Sequence, residues 1–284
     1  MSKIALVTDS TSYLPDDFVK ENDVRIIPLS VIFGSEVYKE GIELDASAFY
    51  KKLKDVQELP TTSQPPAGEF VSVYEQLEKE GYDEAIVICL SSGLSGTFNT
   101  AKAAAEMVEK IKVHVFDSEI AALAEGFYVI EAAKMIKEGA TSEAILQRLT
   151  TIRDEHGMNV YLVVDDLTNL HRGGRMTGAQ ALLGSLLQIK PILTFKDKKI
   201  GLFEKVRTKK KALARMLELF SEDAKTGAPI RASIITAERE EEAQAMIKDL
   251  AATYPNIEID TGYLGAVVGT HGGEGLIGLV WYRK

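Results

Sequence analysis

Hydroxyl groups crowded into short glycine-bearing loops are the residues of this chain best placed to do chemistry. The densest loop is Ser91-Ser92-Gly93-Leu94-Ser95-Gly96-Thr97. Backbone N–H groups and hydroxyls gathered ahead of a helix hold an anion, and glycine lets a ligand approach the main chain closely. The same residues also read as an ordinary helix start capped by Ser95 or Thr97. A second concentration is Thr61-Thr62-Ser63, between Pro60 and Gln64-Pro65-Pro66. The prolines fix φ and hold the three hydroxyls in a stiff, mostly extended segment, whereas a helix start would need only one of them. Pro66 and Glu69 read as the helix entry itself. Arg172-Gly173-Gly174-Arg175 sets arginines beside flexible glycines. That pairing suits a carboxylate or phosphate on a ligand or a partner protein, and equally a solvated helix end. Arg207 closes a strand just ahead of Lys209-Lys210-Lys211, a basic run that reads as a solvated face. His271 sits in Gly269-Thr270-His271-Gly272-Gly273, where an imidazole can donate to an oxyanion and still carry a titratable proton.

The elements that must position these groups alternate between apolar runs and amphipathic stretches. Strands are predicted at Ile4–Val7, Val24–Pro28, Ala85–Leu90 and Lys112–Phe116, and helices at Asp16–Glu21, Ala46–Lys54, Ala67–Glu80, Thr97–Lys110 and Ala121–Glu138. This alternation implies an α/β domain with a mostly parallel sheet covered by helices on both faces. Loops beyond the carboxyl ends of such strands form ligand crevices, so Thr8–Ser12, Ser91–Thr97 and Asp117-Ser118 should converge. A helix at Glu143–Glu155 and the break His156-Gly157-Met158-Asn159 place a boundary near Gly157, giving domains 1–157 and 158–284. The second has strand patterns at Val160–Val164, Ile189–Phe195, Gly201–Val206, Arg231–Thr236 and Asn256–Gly262, and helices at Ala179–Leu187 and Glu238–Ala252. Gly201–Val206 returns as a hairpin, so this sheet is mixed. Asp165–Arg175 reads as a polar turn, and the chain closes with two apolar strands flanking the histidine turn.

A chain of 284 residues with 45% apolar and 26% charged residues is long enough for two α/β domains. The net charge of −9 argues against a nucleic-acid binder. No apolar run is long enough for an integral membrane segment. The start Met1–Ser10 reads as a first strand without a signal-peptide apolar region, so a cytoplasmic protein is expected. The single cysteine, Cys89, falls inside an apolar strand and reads as structural, and there is neither a disulfide framework nor a metal-ligand cluster.

Taken together, Thr8-Asp9-Ser10, Thr61-Thr62-Ser63-Gln64-Pro65, Ser92–Thr97, Asp117-Ser118, Asp166-Leu167 with Gly173-Gly174-Arg175, Ile189-Lys190-Pro191-Ile192, Lys205-Val206-Arg207 and Gly269-Thr270-His271 resemble the DegV family over essentially the whole chain. That resemblance implies two α/β domains that bind one long-chain fatty acid of palmitate, stearate or oleate type, with no cofactor. It implies a role as the acyl-binding, non-enzymatic subunit of bacterial fatty acid kinase, serving phospholipid metabolism with at most transient membrane contact. The carboxylate would be held by Thr61, Thr62, Ser63, Ser95, Gly96 and His271, and Arg175 and Arg207 would stand at the pocket mouth or dock the kinase catalytic subunit. The acyl tail would run into the first domain. Two segments depart from the family pattern: Glu274 stands where proline is usual, and Ala124-Glu125-Gly126 replaces a Gly-x-Gly that helps shape the tail pocket. The chain has no phosphate loop and no kinase catalytic loop, so phosphoryl transfer would fall to the partner. The competing reading is an enzyme or sensor that takes a small phosphorylated or carbonyl metabolite at the Ser91–Thr97 loop.

Overall fold

The computed structural model describes residues 2–154, 157–183 and 189–284. The first half runs β1 (Ile4–Asp9), α1 (Asp16–Glu21), β2 (Val24–Ile27), β3 (Ser30–Phe33), β4 (Glu36–Lys39), α2 (Ala46–Asp55), β5 (Thr61–Ser63), α3 (Ala67–Lys79), β6 (Glu84–Cys89), α4 (Thr97–Ala105), β7 (Lys112–Asp117), α5 (Leu123–Lys137) and α6 (Ser142–Asp154). The second runs β8 (Asn159–Val163), α7 (Thr168–Gly173), α8 (Ala179–Leu183), β9 (Lys190–Lys196), β10 (Lys199–Val206), α9 (Lys209–Ala224), β11 (Ile230–Thr236), α10 (Glu240–Thr253), β12 (Glu258–Tyr263), α11 (Ala266–Gly272) and β13 (Ile277–Arg283).

The apolar runs of β1 and β6 are apolar on both sides because both sides are covered. They pair in a wholly parallel sheet of order β2-β1-β6-β7. Ala5, Val7, Val87 and Cys89 pack with Phe70, Tyr74 and Ala101 of α3 and α4, while Leu6, Ile86 and Ile88 share a core with Phe127 of α5. The second sheet, β10-β9-β8-β13-β11-β12, is mixed, with only β11 and β12 parallel. The α/β class and the contrast between a parallel and a mixed sheet are therefore as expected.

Helices α9 and α10 cover one face of the second sheet, where Trp281 packs with Phe220 of α9 and Leu250 of α10. Its other face, including Val160, Leu162, Ile235 and Tyr282, belongs to the same apolar core as Leu6 and Phe127. The Phe127 and Tyr282 rings meet at 5.5 Å. Each half keeps an apolar core of its own, and a third core runs as a continuous apolar layer through the seam between them.

A small antiparallel sheet, β4-β3-β5, lies outside the predicted elements. Its hairpin turns at Gly34, whose φ of +60° suits a tight two-residue connection. Two further stretches differ from the sequence reading, and a third is described only in part. Asp165–Arg175 contains the helical turn α7. Helix α8 is described for Ala179–Leu183; the rest of the predicted helix, like Glu155 and His156 of the predicted break, lies outside the described residues. The stretch before His271, predicted as a strand, is helix α11. Val267 and Val268 carry the β-branched signature of a strand, but tertiary contacts to their amides and close packing at Gly269 override it. No helix among the described residues is long and apolar enough to cross a membrane.

Candidate functional site

A cavity occupies the seam. Its wall is mostly apolar, with Leu29 and Leu90 from the first half and Leu162, Ile235, Leu264 and Leu276 from the second. Its side-chain polar groups are Thr62, Ser95, Arg175 and His271. The empty space counted out to the mouth is about 810 Å³, most of it close against the wall, so the space is narrow. More of the wall comes from residues 158–284 than from 1–157. The space available to a tail thus runs along the seam rather than inside the first half alone, because the face of the second sheet turned to the seam supplies much of the apolar lining.

Strand alternation sorts the hydroxyl triplet. In β5, Thr62 pairs with Val31 of β3 and turns inward, while Thr61 and Ser63 on the opposite face are exposed. Thr62 Oγ1 and His271 Nε2 share a hydrogen bond of 2.8 Å whose direction the imidazole tautomer sets. Thr61 borders an outer depression together with Asn169 and Arg172, on the far side of the Thr62–His271 pair. Ser63 donates to the Gln64 carbonyl at 3.2 Å and does not line the cavity.

His271 is carried on the last turn of α11. Burial, reinforced by the Arg175 charge, lowers its pKa from 6.5 to about 4, so the imidazole is neutral near pH 7. Gly173 packs against its other nitrogen: a Cβ there would lie 2.3 Å from Nδ1. Arg175 links the remaining pieces. Its Nε donates to the Leu94 carbonyl at 3.1 Å and its Nη1 donates to the Gly173 carbonyl. Ser95, adjacent to Leu94, shares a 2.9 Å hydrogen bond with Thr97 Oγ1 and accepts from the Thr97 amide at 3.3 Å. The four polar groups thus form one connected patch.

The Ser91–Thr97 loop divides its work. The amides of Ser92, Gly93, Leu94, Ser95 and Thr97 already donate to Asp117, Ser91 or Ser95, so the loop is not the open cradle of N–H groups that its composition implies. Its leading residues hold the β9–β10 turn. Ser91 Oγ donates to the Lys198 carbonyl at 2.7 Å, and Lys198 Nζ reaches Asp117 at 2.9 Å. Gly93 is needed for that contact, because a Cβ there would lie 2.4 Å from the Lys198 carbonyl oxygen. Gly96 instead makes room for Gln64, whose Oε1 would lie 2.0 Å from a Cβ. Arg207 is exposed beyond β10 and, like Gly96, does not line the cavity.

A family model described as "Uncharacterised protein, DegV family" matches residues 3–284. The chain belongs to the DegV family. Protein DegV of Bacillus subtilis is 52% identical over 282 residues, covering 99% of each chain. The crystal structure of DegV from Bacillus subtilis, described as a fatty acid binding protein, matches all of both chains with a TM-score of 0.94 and 51% identity. A DegV family protein from Thermus thermophilus, described by its fatty acid binding, matches with a TM-score of 0.90 and 35% identity over 99% of this chain and 100% of that one.

The two segments that depart from the DegV pattern lie off the cavity wall. Glu274 is 43% exposed and pairs with Lys54 at 3.5 Å, so its charge is answered at the surface. Glu125 accepts from Thr11 at 2.8 Å and Thr8 at 3.2 Å, beside the buried carboxyl of Asp9. Burial raises the pKa of both acids. Gly126 admits the backbone of the Ser10–Ser12 turn, since a Cβ would lie 2.5 Å from the Ser12 carbonyl oxygen.

Sequence reasoning passed over three polar residues around this site. Asn169 of α7 donates to the Thr270 carbonyl at 3.1 Å. Glu40 and Tyr13 contact the first turn of α11 from the first half of the chain. No local spacing signals them: Asn169 meets its partner far along the second half, and Glu40 and Tyr13 meet theirs only across the seam.

Proposed function

We propose that this protein binds one long-chain fatty acid, with the tail in the seam cavity and the carboxylate at the Thr62, Ser95, Arg175 and His271 patch. The observation that carries this reading is a narrow apolar space whose side-chain polar groups are Thr62, Ser95, Arg175 and His271, connected in one patch. A palmitoyl-length tail buried there gains a gross ~10 kcal/mol, at ~0.8 kcal/mol per methylene, before association and ordering costs. The carboxylate would take hydrogen bonds from the Thr62 and Ser95 hydroxyls beside the Arg175 charge. The neutral imidazole would serve as a donor or take up a proton as the anion arrives. A small phosphorylated metabolite would leave the apolar wall unmatched. The fatty acid binding described for the DegV of Bacillus subtilis and the Thermus thermophilus protein supports the same ligand class.

The finer part of the proposal is that the bound acid is presented to a separate kinase and becomes an acyl phosphate there, with residues 1–157 and 158–284 acting as two domains that share the pocket. Thr61 would stand beside the carboxylate from the outer depression, and Arg175 and Arg207 would face the kinase.

Solvent extraction of purified protein followed by mass spectrometry should yield a fatty acid near one per chain. In the Thr62→Ala, Ser95→Ala double variant, loss of two hydroxyl donors to a carboxylate, at ~1.5–3 kcal/mol each, should weaken fatty-acid binding at least a hundredfold while the fold survives. Unchanged affinity in a folded double variant would refute the headgroup assignment. Arg175→Ala should impair kinase-dependent phosphorylation more than binding, and equal losses would place Arg175 wholly inside the pocket.

A further inference from the structure

His271 is held by a helix that the other half of the chain grips along its length. Helix α11 is only seven residues long and is too short to be stable by itself. At its start, Glu40 Oε1 accepts from the Val267 amide at 2.7 Å, and the Tyr13 hydroxyl accepts from the Val268 amide at 3.1 Å. At its middle, Gly269 lies against Tyr50 and Phe49 of α2, where a Cβ would come within 2.5 Å of the Tyr50 hydroxyl. At its end, His271 meets Thr62. All of these partners belong to the first half.

The grip at the first turn is built with care. Glu40 is 6% exposed. Besides Val267, its carboxylate accepts from Ser10 Oγ at 2.6 Å and from the Tyr13 hydroxyl at 3.0 Å. Tyr13 adopts φ +45°, ψ +44°, a left-handed conformation sparsely occupied outside glycine. Gly265, immediately ahead of the helix, leaves the space both side chains need: a Cβ would lie 2.3 Å from the Tyr13 ring and 2.8 Å from Glu40 Oε1. A buried acid with three partners on two segments, a tyrosine in an unusual backbone conformation and a glycine clearing their path all converge on two backbone amides. Those amides begin the helix that ends at His271.

We propose that Glu40 and Tyr13 are positioning residues for His271: by tying down the first turn of α11 across the seam, they set the place of the imidazole at the cavity. The proposal draws on the fatty-acid reading only for what the imidazole serves; the brace itself is independent of ligand.

The test therefore begins with ligand-free protein and the variants Tyr13→Phe and Glu40→Gln. Nuclear magnetic resonance follows the His271 ring titration, which Thr62 and Arg175 face from the other sides, and the exchange of the Val267 and Val268 amides. The brace predicts faster amide exchange in both variants. It also predicts a His271 pKa that moves up from about 4 toward 6.5 as water reaches the ring. Restoring a long acceptor with Glu40→Gln should keep more of the wild-type signal than Glu40→Ala. Fatty-acid affinity should fall about tenfold in Tyr13→Phe, as for one lost hydrogen bond at the site. A His271 titration identical to wild type in Tyr13→Phe and Glu40→Ala, with the amides deprotected, would overturn the brace. A shifted titration with unchanged fatty-acid affinity would sustain it and count instead against His271 as a ligand contact.

Discussion

Replacing His271 by glutamine tests the charge state of the site through the stability of the ligand-free protein. The imidazole is neutral at pH 7 because burial and the Arg175 charge both disfavour its protonation, which puts its pKa at about 4 rather than 6.5. Between those values an unfolded chain holds a proton that the folded chain does not. Folding stability therefore falls as pH drops through the window, by ~3 kcal/mol in full, and is independent of this group above pH 6.5. Glu40 contributes with the opposite sign. Its pKa is raised from 4.5 to about 7 by burial, so the folded state binds the extra proton and this contribution, also ~3 kcal/mol, is lost as pH rises toward 7. Asp9, Glu125 and Glu84 titrate alike in wild type and variant and cancel in the difference. Urea unfolding monitored by Trp281, which is buried in the second core, gives stability at pH values from about 4 to about 7.5. The wild type should lose ~3 kcal/mol relative to His271→Gln between pH 7 and pH 4. Parallel stability curves over that range would show that the imidazole is not held neutral, and the account of the site built on that would fail. Glu40→Gln should diverge from wild type in the opposite direction.

Two further outcomes follow from the packing. Gly93→Ala would drive a Cβ into the Lys198 carbonyl, so it should destabilise the protein by ~1–3 kcal/mol and speed exchange of amides in the β9–β10 turn; a melting temperature equal to wild type would refute the role given to this glycine. Ala121→Leu adds three carbons at the cavity wall and should shift preference toward acyl chains shorter by about three methylenes, worth ~2 kcal/mol against the longest acids. Profiling extracted fatty acids by mass spectrometry checks this, and an unchanged chain-length profile would show that the tail does not pass Ala121.

The parallel sheet was legible in the sequence because burial on both faces leaves an unbroken apolar record in Ala85–Leu90 and in Ile4–Val7. The mixed sheet of the second half was legible for a different reason: a hairpin return after Phe195 is a local event. What local pattern cannot carry is the partner that overrules it. Val267-Val268 reads as strand and is helix, since the decisive contacts come from Tyr13 and Glu40, more than two hundred residues away. The site was legible by residue type more than by orientation. Thr61, Thr62 and Ser63 are equivalent as hydroxyls, and only pairing with β3 determines that Thr62 turns inward. The Ser91–Thr97 loop shows the same limit. Its composition announces free donors, yet donors count only after their internal partners are known, and here Asp117 and Ser91 already occupy them.

The contacts at the mouth have a further consequence. Thr62 of the first half bonds His271 of the second, Arg175 of the second donates to Leu94 of the first, and Ser91 of the first donates to Lys198 of the second. Separating the halves would break all three links and expose the shared apolar layer in the same motion. A ligand bound by both halves favours only the closed arrangement, and its free energy adds to the seam by RT ln(1 + [L]/Kd), ~2.7 kcal/mol at a hundredfold excess over Kd. On the fatty-acid reading proposed above, a partner acting on the carboxyl end would not have to extract the chain against its full gross burial energy. It would need only to reach the headgroup at the patch formed by Thr62, Arg175 and His271, which borders both the inner cavity and the outer depression.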